Sequence, residues 1–321
     1  MLFLNEREIL EALTYREVVG CVEEALRIYE DRAFVMPERL AVPCGENNVL
    51  LLMPCVAANN IVTKLVSVYP GNRARGRPVI DGIVVLYDRS TAEILGLMDG
   101  KTITAMRTGA VTGVSVAHLS RPDARSVGLV GCGVQGYYQL VYACTVRDIS
   151  RITLYDVNAA AIPPLEEKLR ASLPGIAIEV APSSEALLKA SDIVITATTA
   201  RAPVFPDDPE LFAGKHCIAI GSFEPDVREY PDAIFSQLER VWVDIDFATE
   251  ESGELIVPLE KGLLREEQVE TLGHFIRSGR APERGRYGTT FSKSVGMALL
   301  DLTTARLAYA NALEKGLGTE L

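Results

Sequence analysis

The hexapeptide Gly131-Cys132-Gly133-Val134-Gln135-Gly136 constrains this chain more than any other stretch. It follows an apolar run at 127–130 and opens an amphipathic segment. Glycines at this spacing permit a tight turn, close approach of a pyrophosphate to the backbone, and close packing of helix on strand. The free N–H groups and the dipole of the following helix favour an anion. A second run, 152–155, ends at Asp156, at the distance where an acid meets the ribose hydroxyls of a dinucleotide. The spacing predicts a strand–turn–helix–strand unit that binds NAD(H). Gly131, Gly133, Val134, Gln135 and Gly136 would hold the pyrophosphate and Asp156 the adenosine ribose. A carboxylate there repels a 2′-phosphate, and no arginine immediately follows Asp156, so NAD is expected over NADP. Alone, the glycine pattern also fits a turn in any α/β protein.

The surrounding pattern extends this reading. Runs at 127–130, 152–155, 176–180, 193–197, 217–220 and 241–245 are apolar on consecutive residues and alternate with amphipathic segments. Such runs suit strands buried on both faces of a parallel sheet covered by helices. Residues 121–292 are therefore expected to form a Rossmann dinucleotide-binding domain. Thr198, in Thr196-Ala197-Thr198-Thr199, lies at a strand end where ligands bind in such sheets, although a polar strand-to-loop junction reads the same way.

Residues 1–120 follow another style and are expected to form an α+β domain. Thr14-Tyr15-Arg16-Glu17 is a capping box, and Val18, Val22, Ala25, Leu26 and Tyr29 recur behind it at helical spacing. From 39 to 97, short apolar runs between turn signals predict a mainly antiparallel sheet with one helix against it. Residues 102–119 read as a helix whose Ala105, Gly109, Ala110 and Gly113 allow another backbone to approach. An amphipathic helix is expected over 293–313, stopped near Gly316. Its partner is left open, the first domain being one choice.

Composition excludes several classes. A 321-residue chain with 48% hydrophobic and 23% charged residues can bury one large or two medium cores. The formal net charge of -11 argues against a nucleic-acid or anionic-membrane surface. No apolar run approaches the roughly 20 residues that span a bilayer. Six scattered cysteines without a CxxC pair, and three histidines, make a disulfide framework or a zinc site an unsuitable reading. Together with an N-terminus that lacks a cleavable signal pattern, this points to the cytoplasm.

A dinucleotide domain brings a cofactor but no substrate chemistry, so charge in the first domain matters. Lys64 interrupts the apolar run Ile61-Val62-Thr63-Lys64-Leu65-Val66. It is either on a solvated face or buried, and burial lowers a lysine toward neutrality and makes it a usable proton donor or acceptor. Arg107 sits on a helix of small and apolar residues and needs an anion, either a substrate carboxylate or a local acid such as Asp99. Arg39 alone reads as a surface arginine. His118, His216 and His274 read as structural, and no metal cluster is visible.

These stretches, taken together, resemble the ornithine cyclodeaminase/mu-crystallin family over nearly the whole chain. The matching pieces are Met53-Pro54, Lys64 leading to Pro70-Gly71-Asn72, Asp99-Gly100 leading to Thr104-Ala105-Met106-Arg107-Thr108, and the glycine turn. Further on come Ser191-Asp192-Ile193-Val194, Ile220-Gly221, Pro225 with Arg228-Glu229, and Phe291-Ser292-Lys293-Ser294-Val295-Gly296. The resemblance implies that Arg39 and Arg107 bind a substrate carboxylate and that Lys64 stands at the reacting centre. It places Thr108 near the cofactor phosphates, Gly221 at a cofactor-facing strand end, and Lys293 and Ser294 near the nicotinamide. It also implies a homodimer formed through the first domain. Two departures stand out. Where the ornithine-cyclising enzymes carry an aspartate and a glutamate, this chain has Phe223 and Leu51, and Glu224 should point elsewhere along an extended backbone.

The expectation is an NAD(H)-dependent oxidoreductase acting on a small α-amino or α-imino acid. It would be a cyclic ketimine reductase, such as one for Δ1-pyrroline-2-carboxylate, or an alanine-dehydrogenase-like enzyme. Two alternatives follow from the same resemblance: an ornithine cyclodeaminase that recycles its NAD, and a low-activity nucleotide-binding protein like mu-crystallin.

Overall fold

Two sheets form, and each has the residue pattern its surroundings demand. The computed structural model describes residues 1–45, 47–222, 224–285 and 288–321, the side chain of Arg73 excepted. The chain divides into two compact units, one of Met1–Arg107 with Met297–Leu321 and one of Thr108–Gly296.

The second unit holds an eight-stranded sheet in which every pairing is parallel. Its spatial order is Ala177–Val180, Arg151–Tyr155, Ser126–Val130, Ile193–Thr196, His216–Ala219, Thr290–Lys293, Val241–Val243 and Val269–Thr271. Its middle strands are buried along their whole length, which is why their sequences are apolar on consecutive residues rather than on alternate ones. Ser126–Val130 has the next strand in sequence on one side and Ile193–Thr196 on the other. The winding direction changes there, and such a switch point is where ligands enter α/β sheets. Beneath the sheet, Phe205, Phe212, Tyr230, Phe235 and Phe291 pack into one core. The Tyr230 and Phe291 rings meet edge to face with centroids 5.1 Å apart. The buried Tyr230 hydroxyl donates to the Val194 carbonyl at 3.0 Å, so the ring carries no unsatisfied polar group into the core.

Two of these strands are absent from the sequence expectation. Val269–Thr271 spans three residues and gives a weak signal. Thr290–Lys293 occupies the start of the helix expected from Lys293; that helix begins at Ala298 instead. Asp244 explains the difference. Its carboxylate accepts from Ser294 Oγ at 2.6 Å, the Val295 N–H at 3.2 Å and the Gly296 N–H at 2.7 Å. Gly296 then takes a φ of +77°, a left-handed turn that stops a helix from starting earlier.

The first unit's sheet runs Thr319–Glu320, Leu2–Leu4, Ile94–Asp99, Ile80–Asp88, Asn60–Val68, Val49–Ala57, Phe34–Val35, with Leu40–Pro43 also paired to Val49–Ala57. It is antiparallel except where Leu2–Leu4 meets Ile94–Asp99. The C-terminal helix Ala298–Lys315 lies across its strands, and Tyr15–Glu30 packs on that helix. Thr14 caps Tyr15–Glu30 through the expected box, and Gly316, at φ 64°, ends Ala298–Lys315. Cross-strand rows alternate by face. Met53, Lys64, Val84 and Met98 align and are buried; the adjacent row Leu52, Leu65 and Ile83 is half-exposed or exposed.

The helix Gly100–Leu119 continues from the first unit into the second. A Cβ on Gly109 would lie 2.5 Å from the Tyr142 ring and 3.0 Å from the Tyr138 backbone, so the close partner of this helix is Val134–Val146. Among the described residues no helix is long and apolar enough to cross a membrane, no group of acids, cysteines and histidines could hold a metal, and all six cysteines are free.

Candidate active site

Strand register answers the question that spacing left open for Lys64. Its side chain lies on the helix-covered face, in the row of Met53, Val84 and Met98, and is 1% exposed. Nζ donates to Asp301 Oδ2 at 2.7 Å, and Arg107 Nε donates to the other oxygen, Oδ1, at 3.1 Å. Asp301 is fully buried in the first turn of Ala298–Lys315, where the positive end of the helix dipole favours a carboxylate. The partner of Arg107 is therefore Asp301 and not Asp99, which caps Gly100–Leu119 by accepting from Thr102 N and Oγ1. Burial lowers Lys64 to about 8, with Asp301 opposing the fall and the charges of Arg107 and Arg39 adding to it. Arg39 is half-buried.

The glycine turn has the form a pyrophosphate needs. Gly131 adopts φ +102°, its N–H donates to the Tyr155 carbonyl at 3.1 Å, and a Cβ there would stand 2.5 Å from the Ala197 carbonyl oxygen. A Cβ on Gly136 would lie 2.5 Å from the Gly131 oxygen, so the third glycine lets the helix close on the strand. Around the Gly133 Cβ position there is open space. The helix Val134–Val146 begins without a side-chain cap, which leaves its first N–H groups for a ligand. Gln135 accepts from Gln139, and Val134 is 74% exposed. Asp156 reaches this turn, accepting from Cys132 N and Asn158 N, both at 2.8 Å. The residues present thus fit a dinucleotide.

The other expected cofactor residues are tied together inside the same unit. Thr198 donates through N and Oγ1 to Glu229 Oε1, at 2.7 and 2.8 Å, and the Gly221 N–H donates to Glu229 Oε2 at 2.7 Å. Lys293 ends its strand buried, with Nζ donating to the Ala219 carbonyl at 3.3 Å, and Ser294 is held by Asp244. Thr108, 9% exposed, directly follows Arg107 on its helix. His216 is buried between Ser115 and Thr290 and is pushed down to about 3 by that burial, so it stays neutral and structural.

Sequence reasoning did not single out Asp301, and it quoted Glu229 without a role. The signal for Asp301 was present: an acid in the apolar stretch Ala298-Leu299-Leu300-Asp301-Leu302 demands a partner for the same reason Arg107 does. Of the two departures noted above, Phe223 lies outside the described residues. Leu51 pairs with Val66 and so shares the face of Met53 and Lys64.

A parallel sheet with an uncapped glycine turn at its switch point defines a Rossmann-type α/β protein. Here that unit shares its chain with an α+β unit built around a buried lysine. The chain belongs to the ornithine cyclodeaminase/mu-crystallin family, whose profile matches residues 1–316. It is 33% identical over 328 residues to a Δ1-pyrroline-2-carboxylate reductase of Bacillus cereus, covering 100% of this chain and 99% of that one. Among solved structures it is similar to the Thermococcus litoralis Δ1-pyrroline-2-carboxylate reductase in complex with NADH and L-proline. The TM-score there is 0.93, with 33% identity and 100% of both chains covered. An archaeal alanine dehydrogenase dimer with bound NAD gives a TM-score of 0.90 at 29% identity, covering 100% of this chain and 98% of that one.

Proposed function

We propose that this chain is an NAD(H)-dependent reductase of a small cyclic α-imino acid of the Δ1-pyrroline-2-carboxylate class. The observation that carries the reading is the buried trio of Lys64, Asp301 and Arg107. Two cations on one carboxylate leave a positive excess in a dry site, and a substrate carboxylate offsets it. Arg107 meets Asp301 through Nε, so its terminal N–H groups suit a carboxylate held by both oxygens. Arg39 is assigned to the same carboxylate. Lys64, at about 8, is mostly protonated at neutral pH yet releases its proton readily, as a general acid for an imine nitrogen must. A new N–H bond forms from Lys64, the neutral amine remains, and solvent restores its proton. Bound NADH supplies the hydride for the imine carbon.

Gly131, Gly133, Val134, Gln135 and Gly136 are assigned to the pyrophosphate, Asp156 to the adenosine ribose, and Thr108, Thr198, Gly221, Lys293 and Ser294 to the rest of the cofactor. Full-length similarity to reductases of Δ1-pyrroline-2-carboxylate supports the substrate class. The first unit is assigned substrate binding and homodimer formation. The sheet face with half-exposed Leu52, Pro54, Val56, Ile61 and Leu65 and exposed Ile83 is apolar, and it suits a second copy of the chain.

The test is an NADH-oxidation panel with Δ1-pyrroline-2-carboxylate, Δ1-piperideine-2-carboxylate, and pyruvate plus ammonia, run beside an ammonia and proline assay on L-ornithine. NADH consumption with a cyclic imine is expected. Proline from ornithine without net NADH change would establish the lyase reading instead, and no turnover with NADH binding intact would establish the binding-protein reading.

A further inference from the structure

Glu229 and Glu254 form a buried acidic pair that the proposed chemistry does not use. Both side chains are fully buried. Glu254 accepts from the backbone N–H groups of Glu229 at 2.6 Å and Tyr230 at 3.0 Å, and from Ser222 Oγ at 3.3 Å, so it fixes the segment that carries Glu229. Glu229 in turn uses both oxygens, one on Thr198 and one on Gly221. Those residues follow the adjacent strands Ile193–Thr196 and His216–Ala219, so one carboxylate ties two strand ends together. The tie is tight: a Cβ on Gly221 would stand 2.0 Å from the Thr198 oxygen and 2.6 Å from Glu229 Oε1. It also abuts the phosphate turn, because a Cβ on Gly131 would lie 2.5 Å from the Ala197 oxygen and 3.0 Å from Thr198 Cγ2.

Two carboxylates buried side by side are unfavourable, and burial with the Glu229 charge pushes Glu254 up to about 7. Burial lowers Lys293 while Glu229, Glu254 and Asp244 favour its charged form, and its charge in turn opposes the rise of Glu254. A fold that needed only a linked pair of strand ends could use neutral groups. An ionised carboxylate that accepts three hydrogen bonds at fixed angles holds position more firmly than a neutral acceptor.

We infer that Glu229, held in place by Glu254, is a positioning residue for the cofactor: it fixes the Thr198–Gly221 wall beside the glycine turn. The inference rests on the proposal that this unit binds NAD(H). Glu229→Gln keeps the volume but turns an amide NH2 toward N–H donors, so at least one of the clamp's bonds becomes a donor–donor contact.

The experiment measures NADH dissociation by quenching of protein fluorescence, KM for NADH and for the imino acid separately, and Tm, in wild type, Glu229→Gln and Glu254→Gln. For Glu229→Gln, NADH Kd and KM should rise about tenfold or more, the scale of one lost charge-assisted hydrogen bond, with the imino-acid KM at saturating NADH moving less than about twofold. Glu254→Gln, whose side chain holds the Glu229 segment and Ser222 beside Gly221, should raise NADH Kd in the same direction. A lowered Tm with NADH Kd unchanged in either folded variant overturns the inference and leaves a purely structural clamp. A wild-type protein that binds no NADH overturns the cofactor reading itself, a result separate from either variant's.

Discussion

Replacing Asp301 with asparagine should move the pH dependence of turnover, and the direction follows from the charges around Lys64. In the intact site burial lowers Lys64 from 10.5 to about 8, while Asp301 opposes that fall by its charge and its hydrogen bond. Arg107 and Arg39 push the other way. Asparagine keeps the shape and removes the only charge that favours the ammonium among those named. Loss of an opposite charge in direct contact is worth about 1–3 pKa units, so Lys64 should fall to about 5–7. In the proposed mechanism imine reduction requires the protonated lysine. The alkaline limb of kcat/KM, near pH 8 in the wild type, should therefore drop by a similar amount. For a shift of about two units, the rate at pH 7.5 falls about 25-fold through protonation alone.

The assay is the initial rate of NADH oxidation with Δ1-pyrroline-2-carboxylate across about pH 5 to 10 for both proteins. Using one substrate for both cancels any titration of the substrate. Proline oxidation with NAD provides the mirror image: it requires neutral Lys64, so its rate rises through about pH 8 in the wild type and through a lower pH in Asp301→Asn. Thermal unfolding accompanies the kinetics, since two buried cations without a counter-charge cost about 3–5 kcal/mol before Lys64 sheds its proton. A variant that folds, binds NADH and keeps both limbs at the wild-type pH would refute the assignment of Lys64 as the proton donor under Asp301's control.

Four further outcomes follow from the structure. Lys64→Met should lose about 10²-fold or more in kcat while NADH binding persists, and fluorescence titration of NADH separates the two effects. The same variant tests stability. Between about pH 8 and pH 10.5 the unfolded chain holds a proton at Lys64 that the folded chain has released, so stability rises with pH across that window. Wild type should gain about 3 kcal/mol relative to Lys64→Met there, and urea unfolding at both ends of the window that showed the reverse sign would contradict the burial argument. Asp156→Ser should weaken NADH and strengthen NADPH, read as the ratio of their kcat/KM values; an unmoved ratio would remove Asp156 from the ribose. Leu65→Asp places a charge on the open sheet face and should convert a dimer into monomers in analytical ultracentrifugation, with an unchanged sedimentation coefficient arguing for another interface.

Local rules were sufficient where a single segment decided the outcome. The glycine turn, the capping box at Thr14, the stop at Gly316 and the consecutive apolar strands each depend on neighbours within a few residues. The strand Thr290–Lys293 was missed because four residues carry little periodicity and the following apolar stretch does form a helix, starting at Ala298. Its place in the sheet is set by strands and by Asp244, about fifty residues away. Lys64 was ambiguous because period-two alternation identifies two faces without saying which one a helix will cover. The resemblance brought out Lys64, Arg39 and Arg107, but the carboxylate that joins Lys64 to Arg107 came only from the structure.

That carboxylate ties the chemistry to the end of the chain. Asp301 lies 237 residues beyond Lys64 and 194 beyond Arg107. The helix that carries it is also the one that packs over the strand holding Lys64. Burial, which lowers the lysine, and the counter-charge, which limits the fall, therefore both come from one helix, Ala298–Lys315. With that helix in place Lys64 rests at about 8, and the site keeps a net positive charge within a chain of net charge -11. The acid strength proposed for catalysis is thus a tertiary property of the first unit. No residue spacing within 61–66 could have contained it.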